Sequence, residues 1–268
     1  MAINIFRREF RASLRSVATW SVSVAALLLI FGALFPAFSQ QAAQINQAMA
    51  NFPPALRDAF GLNGDLSSVL GFFGFVFLFV QLCIAIQASG YGFGLVSVEE
   101  REWTADFLLS KPVRRNSVLT AKLLAALAGM AITDLVTMAA GFGFISAFSD
   151  GKPYDGGTLG LMLMSVIPFQ LFFFLVGLAV SLMVKRIRSV MPYSLGLAFG
   201  MYVLSVFSDV LGTSALEKIT PFKHFAPTYL VQNGGFDPAL VLISVVVIVV
   251  ALTVSYLLYN RRDIPSVS

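Results

Sequence analysis

The chain has 268 residues, 57% of them apolar and 12% charged, with 18 Lys and Arg against 14 Asp and Glu, a net charge of +4 and a mean hydropathy of +0.83. A soluble domain carries roughly 25% charged residues, so these values exclude an ordinary soluble globule, a disordered chain and a disulfide scaffold. They predict an all-α integral membrane protein, a single transmembrane domain over 1–268 with room for about six spans of ~20 apolar residues each.

Residues 3–17 put Ile3, Phe6, Phe10, Leu14 and Val17 on one helical stripe, with Arg7, Arg8, Arg11 and Arg15 along its flank. This pattern predicts an amphipathic helix over 1–16 lying in the membrane interface. A plain basic flank that only sets topology is the simpler alternative. Six apolar runs follow, at about 17–38, 69–97, 117–148, 159–184, 190–211 and 239–259, each long enough to span. They are continuous, unlike the ~10-residue alternating strands of a barrel. The first run has 22 residues, longer than the 7–15 of a secretory signal core, and is read as a retained helix. Residues 39–68 are polar and punctuated by Pro53-Pro54 and Gly61 to Gly64, a loop.

The second run ends in Gly90-Tyr91-Gly92-Phe93-Gly94, either a flexible joint or a packing contact. Glu99 to Arg115 then carry the most informative pattern in the chain. Built as a helix, Glu99, Glu102 and Asp106 share one face, and Trp103, Phe107 and Leu108 share another, with Glu100 on the apolar side. Pro112 disfavours helical geometry for Lys111, so the helix stops near Ser110. A short helix with an acidic face between spans two and three predicts a docking site for a soluble partner. Its residues are Glu99, Glu100, Arg101, Glu102, Trp103, Thr104, Asp106, Phe107 and Leu108. A connecting loop resting its aromatics on headgroups is the alternative, although anionic lipid repels four acids.

Asp134 lies near the middle of the third run, where a carboxylate costs at least ~2.5–3.5 kcal/mol. It must face protein or a water-filled cavity. Two readings are open: a polar group on the translocation path or a proton or ion site, and a neutral or hydrogen-bonded acid that fixes packing through Thr133 or Thr137. Small residues recur on the same run at Ala121, Ala125, Gly129, Thr133, Thr137 and Gly141, and Gly196-x-x-x-Gly200 occurs on the fifth. Such stripes let helices approach closely, inside one subunit or across a dimer. Asp209, near the end of the fifth run, is expected to meet water. Residues 212–238 are too apolar for a free loop and too short to span, which predicts a re-entrant pair of short helices with His224 packed inside it.

Of the 18 basic residues, only Arg57, Lys152, Lys218 and Lys223 fall on one side of this topology. The other fourteen lie on the side of both termini, which the positive-inside rule makes cytoplasmic. They are spread over four short segments, so nucleic acid is no expected partner. Membrane lipid is. One histidine and one cysteine, Cys83, leave no metal or disulfide pattern.

The chain resembles the permease subunits of ABC-2 type transporters, on Phe6-Arg7-Arg8-Glu9-Phe10-Arg11, on Thr104 with Leu108-Leu109-Ser110-Lys111-Pro112-Val113-Arg114-Arg115, and on Ile219-Thr220-Pro221-Phe222. Many relatives carry Gly before that Thr, where this chain has Trp103. The resemblance implies a bacterial inner-membrane exporter subunit in which the segment between spans two and three is the coupling helix for a cytoplasmic ATPase. It implies two copies of that ATPase, carrying ATP and Mg, and a second permease, identical or paralogous. No cofactor is expected in this chain, which has no G-x-x-x-x-G-K-[ST] phosphate loop. The alternatives are an ion-coupled secondary carrier using Asp134 and a non-transporting membrane anchor or immunity protein.

Overall fold

The computed structural model describes residues 2–41, 44, 45, 47, 48, 51–53, 57, 65–101, 115–184 and 187–261. Among these, all regular structure is helical: α1 (Ala2–Gln40), α2 (Val69–Arg101), α3 (Arg115–Phe148), α4 (Gly156–Met164), α5 (Val166–Met183), α6 (Val190–Leu211), α7 (Ser214–Glu217), α8 (Pro221–His224), α9 (Pro227–Asn233) and α10 (Pro238–Arg261). Six segments are long and apolar enough to cross a membrane: α1, α2, α3, α4 with α5, α6 and α10. Each overlaps one of the six apolar runs.

The N-terminal region differs from expectation. α1 runs unbroken from Ala2 to Gln40, so the amphipathic stretch and the first span are one helix. The reason is local: no glycine or proline precedes Gly32, and nothing else in the stretch breaks a helix. At 1.5 Å per residue its 39 residues extend about 58 Å, nearly twice the ~30 Å hydrocarbon core.

The fourth span is jointed at Ser165, between α4 and α5. Its start is capped by Asp155, whose carboxylate accepts from Thr158 Oγ1 at 2.6 Å and from the backbone N–H groups of Thr158 and Gly157. Those donors hold the Asp155 carboxyl below its ordinary range.

The axis of the bundle is α2, which packs on α1, α3, α5, α6 and α9. It is apolar all round, and Phe72, Phe73, Phe77, Val80 and Ile84 are fully buried. Its approach to α5 is backbone to backbone: a Cβ added at Gly92 would lie 2.2 Å from the Phe174 carbonyl oxygen. One at Gly177 would lie 3.1 Å from the Ser89 carbonyl. The glycine-rich end of span two is thus a packing contact, and the helix continues through it. The small residues of α3, from Ala121 to Gly141, are all buried, and a Cβ on Gly129 would meet Val17 of α1 at 3.0 Å. Gly196 and Gly200 have nothing within 4 Å and face outward. The small stripe therefore packs this subunit on α3 but not on α6.

Between α6 and α10 stand three short helices, where two were expected. Phe222 sits against Phe169, Tyr202 and Phe173, with ring centroids 5.1, 5.6 and 5.8 Å apart. Gln81 of α2 donates to the Phe225 carbonyl at 2.9 Å, and Thr220 donates to the Met201 carbonyl at 2.7 Å. His224 bridges Ser244 of α10 at 2.6 Å and the Glu217 carbonyl at 3.0 Å. Asp209 does not simply meet water: the segment folds back over the end of α6 and brings Lys223 into an ion pair with it.

Gly92→Ala is expected to cost about 1–3 kcal/mol by overpacking α2 against α5, seen as a lower unfolding midpoint in detergent. Gly196→Ala, into open space, should leave the midpoint within the spread of neutral surface changes.

Candidate functional site

Of the predicted docking residues, Glu99, Glu100 and Arg101 form the last turn of α2. Glu102, Trp103, Thr104, Asp106, Phe107 and Leu108 lie outside the described residues. The segment they belong to is strung between α2, which ends at Arg101, and α3, which begins at Arg115. Both helices pack on α1 and on each other. At that end of the bundle an open cavity of about 400 Å³ is lined by Glu9, Ser13, Tyr91, Gly94 and Lys122. The Lys122 ammonium reaches back across it to donate to the Leu95 carbonyl at 2.8 Å.

The second predicted site, Asp134, is 6% exposed and faces the bundle interior. Sequence reasoning offered Thr133 or Thr137 as its partner. The structure supplies Gln170 of α5, whose Nε2 donates to Asp134 Oδ2. Thr133, one residue earlier and so on an adjacent face of α3, carries its own cluster. Gln87 Nε2 of α2 donates to Thr133 Oγ1 at 2.9 Å, and Ser21 Oγ of α1 lies 3.4 Å from the same oxygen. Thr137 turns back on its own helix, donating to the Thr133 carbonyl at 2.8 Å. Gln87, Thr133 with Asp134, and Gln170 fall near the middle of their spans, and Ser21 lies midway along the long helix α1, four residues into its apolar run. They form a polar layer across four spans.

Each member is there because the surrounding faces are apolar and each lone polar group must turn inward for a partner. Gln87 is 1% and Gln170 2% exposed. The layer is not fully paired. Gln87 Oε1, Asp134 Oδ1 and Gln170 Oε1 are buried without a hydrogen-bond partner, as are Gln81 Oε1 and Ser89 Oγ higher and lower on α2. Gln170, Gln87 and Ser21 were missed in the sequence. For Gln87 and Gln170 the available signal was an isolated polar side chain inside an apolar run, the same signal that singled out Asp134.

Among the described residues no three His, Cys, Asp or Glu side chains gather as metal ligands. The layer can tie helices together and hold a proton. Its residues include no nucleophile paired with a base.

The family model described as ABC-2 family transporter protein matches residues 3–264. The chain belongs to the ABC-2 transporter family. It is accordingly a multi-pass membrane subunit for transport, of the kind that associates with an ATP-binding subunit. No curated protein and no solved structure matches it.

Thr133→Val removes the acceptor used by both Gln87 and Ser21 while keeping the volume. It is expected to destabilise the ABC-2 subunit by about 1–3 kcal/mol, measured as thermal unfolding in detergent. Thr133→Ser should restore most of the loss.

Proposed function

We propose that this chain is the permease subunit of an ATP-driven exporter in a bacterial inner membrane, docking its ATPase through Glu99 to Leu108. The observation that carries this reading is the family match over 3–264 on a chain whose own sequence has no phosphate loop. ATP and Mg then belong to the partner. Two ATPases and a second permease, identical or paralogous, complete the unit, as the family resemblance implies.

The route of coupling has support in the helix arrangement. A push on the segment between Arg101 and Arg115 acts on the ends of α2 and α3 together. Because α2 packs on five other helices and touches α5 backbone to backbone, it moves as a stiff lever. The asymmetry of basic residues supports placing this end and both termini in the cytoplasm. The Phe225 carbonyl meets Gln81 twelve residues into α2, about 18 Å along that helix. Such depth supports the reading of α7 to α9 as a re-entrant segment closing the outer side.

A second reading rests on Asp134 Oδ1, a buried unpaired acceptor at mid-membrane. In an ion-coupled carrier that oxygen would lie on the translocation path, and flux would follow an ion gradient without ATP.

Tagged protein drawn from its native membrane in mild detergent should carry a stoichiometric soluble partner bearing a phosphate loop. Reversing Glu99 and Glu102 to Lys, or Trp103→Ala, should weaken that association. A buried Trp at an interface centre is worth ~2 kcal/mol or more, roughly 30-fold in affinity. ATP-dependent flux in vesicles should fall with it while the unfolding midpoint stays put. Variants that remain folded and transport normally would remove the docking assignment. Flux that ignores ATP and follows an ion gradient would put the carrier in its place.

A further inference from the structure

Asp134 and Gln170 present an imbalance that one proton resolves. One hydrogen bond joins them, from Gln170 Nε2 to Asp134 Oδ2. The other oxygen of each group, Asp134 Oδ1 and Gln170 Oε1, is buried with no donor. As a carboxylate, Asp134 has only acceptors to offer, and so does Gln170 Oε1. Two acceptors cannot satisfy each other. A protonated carboxyl has one O–H, and a carboxyl facing a primary amide can close a ring of two hydrogen bonds.

The charge environment points the same way. A buried carboxylate needs a cation or several donors beside it. The helices packed around α3 carry no such cation at this level. α4, α5 and α2 up to Val98 contain no charged residue, α10 contains none before Arg261, and α1 contains none after Arg15. On α3 itself the nearest cation is Lys122, twelve residues away, about 18 Å along the helix, and bonded to the Leu95 carbonyl. Apart from Arg7, Arg8, Glu9, Arg11 and Arg15 at the start of α1, Glu99 to Arg101 at the end of α2 and Arg261 at the end of α10, the titratable groups of the packed elements are Cys83 and Tyr91 of α2 and Tyr256 and Tyr259 of α10, and Tyr91 and Tyr256 bond Ser16 and Thr120.

We propose that Asp134 is a proton-binding residue of the bundle, held as the neutral acid. Its Oδ1–H donates to Gln170 Oε1 while its Oδ2 accepts from Gln170 Nε2, a two-bond ring that clamps α3 to α5. The clamp does not depend on what the chain transports or on how its ATPase docks. It makes the mid-membrane layer electrically silent, so α3 can shift without moving charge through the bilayer.

Infrared spectroscopy of the full chain tests this in an ester-free detergent at neutral pH. Asp134 is the one acid near the middle of an apolar run, and the difference between wild-type and Asp134→Asn spectra isolates its contribution. The wild-type protein should show one protonated carboxylic C=O band that shifts down in heavy water. Asp134→Asn should abolish the band yet keep the unfolding midpoint, because an amide facing an amide closes the same two-bond ring. Asp134→Leu, which closes no bond, should lower the midpoint clearly. In Gln170→Leu the band should persist and move to higher wavenumber, since its carbonyl has lost an N–H donor. A wild-type spectrum with no acid band overturns the proposal without recourse to any variant. So does a band indifferent to Asp134→Asn, or an Asp134→Asn protein as unstable as Asp134→Leu.

Discussion

The contact on which the architecture depends is the approach of α2 to α5 at Gly92. In lipid, burying apolar surface gives helices little reason to prefer one another over acyl chains. Specificity has to come from surfaces that fit closely and from polar groups that must be paired. Gly92 and Gly177 supply the first, allowing backbone contact with the Phe174 and Ser89 carbonyls. With that spacing fixed, the aromatic face of α5 can receive Phe222 and Phe225 from the returning segment. α2, packed on five other helices, becomes the axis. A side chain at Gly92 would push the two helices apart and loosen each of these contacts in turn.

The polar layer supplies the second kind of specificity. Hydrogen bonds between transmembrane helices are individually modest, averaging about 0.6 kcal/mol in double-mutant cycles. Their value here is register. Gln87 meets Thr133 only if α2 and α3 are at one particular height and rotation, and Gln170 imposes the same on α5 and α3. A helix turned by one residue would carry the polar side chain to lipid at a cost far above the bond itself. The layer therefore selects one packing among many apolar ones of similar energy.

Much of this was legible from residue types alone. The six spans follow from continuous apolar runs, and Asp134 stood out because a carboxylate in a span must face protein. The partner of Asp134 was not legible. Gln170 is 36 residues away on another span, and only the tertiary arrangement of the bundle brings the two side chains together. The same holds for Lys223 and Asp209, which a fold-back of the chain unites. Two local readings yielded to local physics. An amphipathic stripe marks a face but no boundary, so α1 continues through it; and the Gly90-to-Gly94 run, open to a hinge reading, is pinned by a neighbour's backbone. The docking residues from Glu102 to Leu108 lie outside the described residues, so their pattern stands on the sequence.

Position on α3 links the two candidate sites. The helix begins at Arg115, where the docking segment ends, and reaches the polar layer at Thr133 and Asp134, about 27 Å further along. Below the layer its small residues slide close to α1, with Gly129 against Val17. Small side chains resist rotation or translation weakly, whereas hydrogen bonds hold one geometry or break. A force applied at the docking end would thus be taken up along the smooth seam until it reaches the layer. There it must either carry α2 and α5 along with α3 or break the bonds from Gln87 and Gln170. A helix that is loose below its middle and tied at its middle delivers displacement to the far half of the bundle only when the tie holds. This gives the polar layer a mechanical role whatever the cargo.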